Sequence, residues 1–367
     1  MKNKKYIISG GGTGGHIFPA LAIANELKAK YPDAEILFIG AEGKMEMERV
    51  PAAGYKIIGL PIRGFDRKNM LKNIPIGIKL AGSMLKAFNA IRSFKPDAVI
   101  GVGGYASGPT LKIAQMLGIP TVIQEQNSYA GVTNKLLAKK ADRICVAYEG
   151  MERFFPKEKI VLTGNPVRQN LITDVSKEEA LAHFGLVQGK KTVLIIGGSL
   201  GARTMNMSML GAWPRLCSEE NVQFIWQTGK LYYDKIEKLI AAGKPDHIYV
   251  QPFIDRMDLA YKAADLVVSR AGASSISEIC LLGKASILVP SPNVAEDHQM
   301  RNAEAMVKKN AAWLIRDDAA EETLIPALFD ALADDDKREA VAQNADAMAL
   351  RDSAKRIVKE IEALKRR

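Results

Sequence analysis

Short apolar runs, many of them β-branched, alternate along this chain with longer segments in which apolar residues recur every three or four positions. Such runs between turn residues are typical of strands buried in a parallel sheet. The predicted strands are Tyr6–Ser9, Ile36–Ile39, Ala98–Val102, Thr121–Gln124, Ile144–Ala147, Thr192–Ile196, Gln223–Trp226, Ile248–Gln251, Leu266–Ser269 and Ser286–Val289. Most segments between them predict helices, beginning with Pro19–Lys30. This alternation predicts an α/β fold with parallel sheets.

The alternation of predicted strands and helices begins again after a cluster of turn residues, Thr163-Gly164-Asn165-Pro166. Each half of the chain then begins with a strand that runs into a glycine-rich loop. We therefore expect two α/β domains of one general type, 1–165 and 166–340. The last segment, 341–367, predicts one or two helices without a further strand, and the sequence leaves open whether it packs back on the first domain.

Composition narrows the class of protein. The chain has 367 residues, 47% hydrophobic and 25% charged, which is the balance of a soluble globular protein with a large core. Three scattered cysteines and four histidines argue against disulfide, Cys-rich zinc or multi-histidine sites, so we expect no metal site. No apolar run approaches the ~18–20 residues of a membrane span. The N-terminus predicts a first strand and not a signal peptide, which is typical of a cytoplasmic protein.

The net charge of +10 is unevenly distributed. Residues 1–165 hold 24 Lys and Arg against 13 Asp and Glu, whereas residues 166–367 hold 27 against 28. A basic domain suggests an anionic partner, which could be a nucleic acid, a phosphorylated substrate or an anionic membrane surface. A solvated basic face without a partner is the alternative.

Three glycine-rich loops follow predicted strands: the first glycine loop (Gly10–Gly15), the second (Gly101–Pro109) and the third (Gly197–Arg203). Glycines let the backbone approach a ligand closely, and the N-terminus of a following helix favours anionic oxygens. Together the loops predict a cleft that binds phosphates from both domains. The first loop also satisfies GxGxxG, and Glu42 follows the second strand, so a dinucleotide site is an alternative.

Two further segments follow strands in the second half. Ser269–Glu278 is small and polar and then becomes helical, and Glu278 could accept hydrogen bonds from a ribose diol or simply face the helix dipole. Val289–Gln299 is a polar loop that could reach sugar hydroxyls, although its composition is also that of an ordinary surface loop.

Six motifs in order, GGGTGGHIFPALAIANEL, GVGGYASGP, IQEQNSYAGVTNKLLA, LTGNPVR, GGSLGAR and SRAGASSISEI, resemble the MurG family of peptidoglycan N-acetylglucosaminyltransferases over nearly the whole chain. The resemblance implies a GT-B architecture, with two Rossmann-like domains facing across a cleft. It implies transfer of N-acetylglucosamine from UDP-GlcNAc to the C4 hydroxyl of the muramyl sugar of lipid I, with inversion, to give lipid II.

The resemblance also implies roles for individual residues. Ser199 would bind the diphosphate, and Arg168 would contact the nucleotide. Ile254 would hold the uracil through its backbone, and Glu278 would bind the ribose. The remaining donor residues would be Thr13, Gly14, Gly15, Asn127, Ala273, Ser274, Ser275, Ile276, Ser277 and Gln299. The acceptor pyrophosphate would meet Gly103, Gly104, Tyr105 and Ser107. In the family, the glutamine that matches Gln299 is often preceded by a second Gln. This chain has His298 at that position, so either His298 or Gln299 could touch the sugar.

Inverting transfer needs a base for the acceptor hydroxyl and stabilisation of departing UDP. His16 is the candidate base, since it directly follows the first glycine loop; capping the helix or orienting substrate is the alternative. Ser199, Arg168 and loop N–H groups could meet the leaving charge, so we expect no cofactor and no required metal. No DxD motif of the metal-binding kind is present, and we interpret Asp317-Asp318 and Asp334–Asp336 as surface turns.

The segment 63–88 predicts a basic amphipathic helix. The apolar positions Ile74, Ile78, Ala81, Leu85 and Phe88 share a stripe, and Lys72, Lys79 and Lys86 recur every seven residues beside it. Such a helix can lie on an anionic membrane surface, which would make the protein peripheral at the cytoplasmic face of the plasma membrane. An ordinary core-facing helix is the competing interpretation.

Three other functions compete. A nicotinamide-dependent oxidoreductase fits GxGxxG and Glu42 but leaves the third loop and Ser269–Glu278 unexplained. A second alternative, more closely related to the family that the motifs resemble, is a glycosyltransferase with another acceptor, such as a diacylglycerol glycolipid. A regulatory nucleotide- or nucleic-acid-binding module is a third, but the basic half has no aromatic stacking set, so we expect no nucleic-acid partner. Other cell-wall enzymes are candidate partners.

Overall fold

The computed structural model describes residues 3–62, 74–167, 171–198 and 200–364. Its contacts divide the chain into two units. Unit 1 comprises Met1–Arg168 together with Leu350–Arg367, and unit 2 comprises Gln169–Ala349. Each unit has its own parallel sheet flanked by helices, as the alternating pattern predicts.

Unit 1 is built on a seven-stranded sheet. Its strands are β1 (Lys5–Ser9), β2 (Glu35–Ala41), β3 (Lys56–Leu60), β4 (Ala98–Gly101), β5 (Thr121–Glu125), β6 (Arg143–Val146) and β7 (Ile160–Leu162). Its first helices are α1 (Gly14–Lys30), α2 (Glu46–Ala52), α3 (Ile74–Phe94), α4 (Ser107–Met116) and α5 (Val132–Ala138). The order is β3-β2-β1-β4-β5-β6-β7, with all neighbours parallel.

The central strand β1 shows why these runs are apolar throughout. Ile7 packs into one hydrophobic cluster with Leu111 of α4, whereas Tyr6 and Ile8 pack into another cluster with Ile23 of α1. Successive side chains of a strand point to opposite faces, so a strand covered by helices on both sides needs apolar residues at every position.

Unit 2 repeats the plan with six strands. They are β8 (Lys191–Ile196), β9 (Val222–Gln227), β10 (Ile248–Gln251), β11 (Leu266–Ser269), β12 (Ser286–Leu288) and β13 (Trp313–Leu314). Its helices are α6 (Lys177–His183), α7 (Arg203–Gly211), α8 (Trp213–Ser218), α9 (Tyr233–Ile240), α10 (Met257–Ala263), α11 (Ala273–Leu281), α12 (His298–Val307), α13 (Ala320–Ala333) and α14 (Asp335–Ala347). The parallel order is β10-β9-β8-β11-β12-β13.

All ten predicted strands are confirmed within one or two residues at their ends. Three strands were missed: β3, β7 and β13. Each lies at the edge of its sheet, and the last two span only three and two residues. An edge strand has one neighbour and is less buried, so its apolar pattern is weaker than that of a central strand.

Helix α1 begins earlier than predicted. It starts at Gly14, and Thr13 precedes it in an extended conformation, so Pro19 lies inside the helix and not in its first turn. A proline inside a helix cannot donate its own N–H bond, and this helix is held by burial of Ile23 and Leu27. The consequence for the site is that His16 sits within the first helical turn.

The C-terminal segment divides between the units. Helix α14 belongs to unit 2, because Val341 and Ala345 are buried in its core clusters. The last helix, α15 (Ser353–Glu362), packs on α1 of unit 1, and Glu362 accepts hydrogen bonds from Lys30 and Tyr31 there. The division thus falls after Ala349 and not at the expected residue 341. No helix among the described residues is long and apolar enough to cross a bilayer.

Candidate functional site

Each sheet reverses its strand order at one point, between β1 and β4 in unit 1 and between β8 and β11 in unit 2. The crevice outside the carboxyl ends of the strands at such a switch point is where open parallel sheets bind ligands. The first and second glycine loops follow β1 and β4, and the third loop and the segment after Ser269 follow β8 and β11. The topology therefore brings the sequence motifs together in two pairs, one in each unit.

In unit 1 the two glycine loops pack backbone against backbone. A Cβ on Gly104, whose φ is +84°, would overlap the carbonyl oxygen of Gly11. A Cβ on Gly10 would lie 2.6 Å from the carbonyl oxygen of Gly103. Glycine is required at these positions because no side chain fits between the loops.

A buried carboxylate that the sequence analysis missed lies beneath the first glycine loop. Glu46, at the start of α2, is only 1% exposed. Its Oε2 accepts a hydrogen bond from the Gly12 N–H at 2.8 Å, and its Oε1 accepts one from the Ala41 N–H at 3.0 Å. An oxygen of the Glu46 side chain therefore already accepts a loop N–H that a phosphate could otherwise bind.

The same geometry removes the second element of the dinucleotide interpretation. Glu42, which would have held a ribose, forms an ion pair with Lys86 of α3 at 2.9 Å and is half exposed. Nothing in the sequence distinguished Glu46 from Glu42 or Glu48, because which acidic side chain turns under the loop depends on how α2 packs against β2.

The His16 side chain is anchored on one edge and faces the second loop. Its Nδ1 lies 3.0 Å from the Gly11 carbonyl oxygen and 3.2 Å from Thr13 Oγ1. A carbonyl oxygen can only accept, so Nδ1 carries the hydrogen and the lone pair of the neutral ring resides on Nε2. A Cβ on Gly103 would lie 2.9 Å from that Nε2, so the ring lies directly against the second glycine loop.

The proposed acceptor residues differ in their placement. Gly103 and Gly104 adjoin His16 and Gly11, respectively. Tyr105 is exposed, whereas Ser107 is fully buried and its hydroxyl donates to the Gly104 carbonyl oxygen at 2.9 Å. The Ser107 hydroxyl thus shapes the loop from within.

The candidate donor residue Asn127 is held by a buried glutamate. Its backbone N–H and Nδ2 lie 3.1 and 3.3 Å from Glu125 Oε1, while Oε2 accepts from the Gly131 N–H and from Asn134 Nδ2. Burial raises the pKa of the Glu125 carboxyl, and these hydrogen bonds oppose that shift. Glu125 was missed because its role depends on donors supplied by a loop that folds back on it.

A relay of buried carboxamides supports the second glycine loop from below. Gln126 Nε2 donates to the Val102 carbonyl oxygen at 2.6 Å and to Gln124 Oε1. Gln124 Nε2 donates to Asn165 Oδ1, and Asn165 Nδ2 donates back to the Gln126 carbonyl oxygen. This relay fixes the second loop relative to the end of β5.

In unit 2 the third glycine loop is clamped by a carboxamide. Gln227, buried at the end of β9, donates from Nε2 to the Gly198 carbonyl oxygen at 3.1 Å and accepts the Ile254 N–H at 3.0 Å. The Ile254 N–H, expected to help hold uracil, is therefore engaged within the protein. Two other expected residues, Arg168 and Ser199, lie outside the described part of the chain.

The expected nucleotide-binding residues Ala273 to Glu278 form the first turns of α11, after Gly272 in an extended conformation. Ala273 and Ile276 are buried, so Ile276 can reach a ligand only through its backbone. The Ser274, Ser275 and Ser277 side chains are half-buried, and Ser277 Oγ donates to the Ala273 carbonyl oxygen. Glu278 is buried and accepts a hydrogen bond from the Tyr261 hydroxyl at 3.1 Å.

The loop before α12 is strained and anchored. Glu296 and Asp297 adopt left-handed conformations, which are uncommon for residues other than glycine. Gln299, expected to meet the sugar, accepts the Ser291 N–H at 2.8 Å through Oε1, and both His298 and Gln299 are half-buried.

An ion pair fixes the base of this loop and corrects one interpretation. Arg270 Nη1 lies 2.5 Å from Asp317 Oδ1 and also donates to the Val289 carbonyl oxygen. Asp317 is therefore an anchor and not part of a surface turn. Asp318, in contrast, is exposed, and its hydrogen bond from Arg316 lowers the pKa of its carboxyl.

Comparison with known proteins gives this geometry a context. Residues 6–146 match the glycosyltransferase family 28 N-terminal domain, and residues 192–357 match the C-terminal domain of the same family. The chain is 59% identical over 362 residues to the UDP-N-acetylglucosamine--N-acetylmuramyl-(pentapeptide) pyrophosphoryl-undecaprenol N-acetylglucosamine transferase of Parabacteroides distasonis, covering 98% of both chains. The chain belongs to the MurG branch of glycosyltransferase family 28.

Other MurG-branch proteins agree. The Bacteroides fragilis enzyme of the same name is 58% identical over 359 residues, covering 97% of this chain and 94% of the relative. The crystal structure of Acinetobacter baumannii MurG superposes with a TM-score of 0.79 at 28% identity, covering 98% of this chain and all of that one. The expected GT-B-type fold with two Rossmann-like units is thereby confirmed, and the oxidoreductase alternative is excluded.

Proposed function

We propose that this protein is an inverting glycosyltransferase that moves N-acetylglucosamine from UDP-GlcNAc to the C4 hydroxyl of the MurNAc-pentapeptide of lipid I, forming lipid II. The observation that carries the proposal is 59% identity over nearly the whole chain to an enzyme of that name. The two switch points support it: in unit 1 a histidine lies against a glycine loop, and in unit 2 a glycine loop is bonded by a carboxamide and α11 carries a buried glutamate.

The proposed reaction uses His16 as the base. As the acceptor oxygen bonds to the anomeric carbon, its proton passes to His16 Nε2 and the bond from that carbon to the UDP oxygen breaks. The Gly11 carbonyl oxygen on Nδ1 supports this role, because it stabilises the ring as a positive charge develops. General-base catalysis uses the neutral form of the ring, in which Nε2 can accept the proton.

UDP is proposed to bind unit 2. The third glycine loop precedes the N-terminus of α7, and free N–H groups with a positive dipole end favour a diphosphate. Ser199 and Arg168 are proposed to add to this stabilisation, and Glu278 to hold the ribose. Thr13, Gly14, Gly15 and Asn127 are proposed to reach the donor from unit 1. No cofactor is required in this scheme, so activity should survive a chelator.

We further propose that α3 brings unit 1 to an anionic membrane surface. Among the apolar positions of the predicted stripe, Ala81 and Leu85 are exposed, Leu85 at 63%, whereas Phe88 packs on the core. The helix buries Ala87 and Ile91 instead, which favours the membrane interpretation over a core-facing stripe. Residues 63–73 and the side chains of Ile74 and Ile78 lie outside what the structure describes.

Other exposed groups of unit 1 fit the same surface. Leu80 lies beside Lys79 on α3, and Leu136 beside Lys135 on α5, and both leucines are exposed. Apolar side chains inserted at the headgroups and lysines attracted by anionic lipid act together in peripheral binding. The protein would then work at the cytoplasmic face of the plasma membrane, near other cell-wall enzymes.

Ligand-dependent melting tests the donor assignment. UDP-GlcNAc, UDP-GalNAc, NAD and NADPH are compared at equal saturating concentration. A ligand at 100 times its Kd stabilises by ~2.7 kcal/mol, which is readily measured. We expect a shift with UDP-GlcNAc and none with NAD or NADPH, followed by transfer of labelled GlcNAc to lipid I. A shift with the dinucleotides alone would overturn the proposal.

A flotation experiment tests the membrane assignment. We expect the protein to bind vesicles containing anionic phosphatidylglycerol, and binding to weaken as salt rises. Equal partition into neutral and anionic vesicles at low salt would contradict it.

A further inference from the structure

A buried tyrosine faces the glutamate proposed to hold the donor ribose. Glu278 lies on α11 and is 6% exposed, and Tyr261 lies on the preceding helix, α10, and is 1% exposed. The Tyr261 hydroxyl donates to Glu278 Oε2 at 3.1 Å. Tyr261 is one of the largest fully buried side chains of the described residues, so its ring cannot easily move.

The physical consequence is a fixed carboxylate. The Tyr261 ring packs in the same hydrophobic cluster as Ile276 and Ile279, on either side of Glu278. A glutamate side chain has three rotatable bonds and can adopt several rotamers. Because core packing holds the Tyr261 hydroxyl in place, its hydrogen bond favours one rotamer of Glu278.

We propose that Tyr261 is a positioning residue for donor recognition: it holds the Glu278 carboxylate in the orientation that accepts the ribose hydroxyls of a UDP-sugar. This inference rests on the proposed function, in which Glu278 meets the ribose. A tyrosine that merely satisfied a buried charge would matter for stability and would not change which nucleotides bind.

The test removes only the hydroxyl. Tyr261→Phe is compared with the unsubstituted protein using UDP-GlcNAc and its 2′-deoxy and 3′-deoxy ribose analogues. Since hydrogen bonds to charged groups are strong, the unsubstituted protein should show a KM at least about tenfold higher for an analogue that lacks a bonded hydroxyl. In Tyr261→Phe we expect the KM for UDP-GlcNAc to rise about tenfold and kcat to change by less than about twofold. The KM for an analogue that lacks a bonded hydroxyl should rise by a smaller factor, because that analogue has already lost part of its contact with Glu278.

Tyr249→Phe is the matched control, since Tyr249 is a partly buried tyrosine of the same unit that packs on Phe184. It should leave every KM unchanged. A Tyr261→Phe variant that raises the KM of all three donors equally, or of none, would overturn the positioning role. An unsubstituted protein that transfers GlcNAc but ignores the ribose hydroxyls would remove the proposed role of Glu278, and one that transfers no GlcNAc would remove the proposed function itself.

A binding measurement covers the case in which Tyr261→Phe does not fold. Glu278→Gln keeps an oxygen for the Tyr261 hydroxyl and removes the charge. Calorimetric titration with UDP, 2′-deoxy-UDP and 3′-deoxy-UDP should then show the preference for intact ribose reduced to less than about threefold. A preference equal to that of the unsubstituted protein would overturn the inference.

Discussion

The switch points of the two units share a backbone plan and differ in the group that holds their first loop. In unit 1 the loop after β1 is bound by a buried carboxylate, Glu46, through the Gly12 N–H. In unit 2 the loop after β8 is bound by a buried carboxamide, Gln227, through the Gly198 carbonyl oxygen. The contact in unit 1 uses a backbone donor of the loop and places a carboxylate beneath it. The contact in unit 2 uses a backbone acceptor and places an uncharged carboxamide there.

This difference separates two loops that look alike in sequence. The clamp in unit 1 uses a backbone N–H that an anionic ligand could otherwise bind, whereas the clamp in unit 2 uses a carbonyl oxygen. The first loop instead presents the anchored ring of His16. The same motif type thus carries the proposed base in one unit and lies at the proposed UDP site in the other.

The largest expected effect concerns the base. His16→Ala should lower kcat at least ~100-fold, the lower end for loss of a general base. His183→Ala is the control, since His183 packs edge-to-face on Phe184 in unit 2. Steady-state transfer to lipid I measures both. A loss in kcat below about threefold would mean that the histidine in unit 1 is not the base.

The second prediction concerns the carboxylate clamp. In Glu46→Gln only one amide oxygen remains for two backbone donors, so one N–H is left unpaired at a cost of about 1–3 kcal/mol. We expect the free energy of unfolding of unit 1 to fall by that amount and kcat to fall with it, because His16 is bonded to Gly11 of the same loop. Glu48→Gln, exposed on the same helix, should change neither. Equal urea midpoints for the two variants would show that the loop does not depend on Glu46.

The third prediction concerns the carboxamide clamp and has a control on the same strand. Gln227→Leu should raise the KM for UDP-GlcNAc about tenfold with little change in kcat, because two segments proposed to bind the donor lose a shared partner. Gln223 is buried at the opposite end of β9 and bonds Val187 and Thr192. Gln223→Leu should cost comparable stability and leave that KM unchanged. Equal KM values for the two variants would show that the carboxyl end of β9 contributes no more to UDP-GlcNAc binding than its other end.

The smallest expected effect contrasts exposed leucines in the two units. Leu85 of α3 is 63% exposed and Leu239 of α9 is 60% exposed. Burying a leucine side chain yields about 1.5–3 kcal/mol, and partial insertion at an interface yields less, so Leu85→Ser should weaken vesicle binding several-fold. Leu239→Ser should not change it. Flotation with anionic vesicles measures the binding of both variants. Equal losses of binding would contradict a membrane contact specific to unit 1.

The part of the site that the sequence predicted consists of backbone loops. The glycine-rich segments after β1, β4 and β8 and the small, polar segment after β11 were all recognisable, because a strand followed by small residues and a helix is a local pattern. The groups that hold these loops were not recognisable. Glu46 is 34 residues from Gly12, and Gln227 is 29 residues from Gly198 and 27 from Ile254.

The sequence by itself determined that this chain forms two parallel α/β units, because strands buried on both faces require unbroken apolar runs, and those runs are visible without knowing their neighbours. It also determined which loops could approach a ligand, because glycine spacing is local. Only the tertiary structure decided which loop carries a charge beneath it and which helix the last segment joins. Those outcomes depend on the strand order, which brings polar side chains from distant segments to loop N–H and carbonyl groups that must be paired once they are buried.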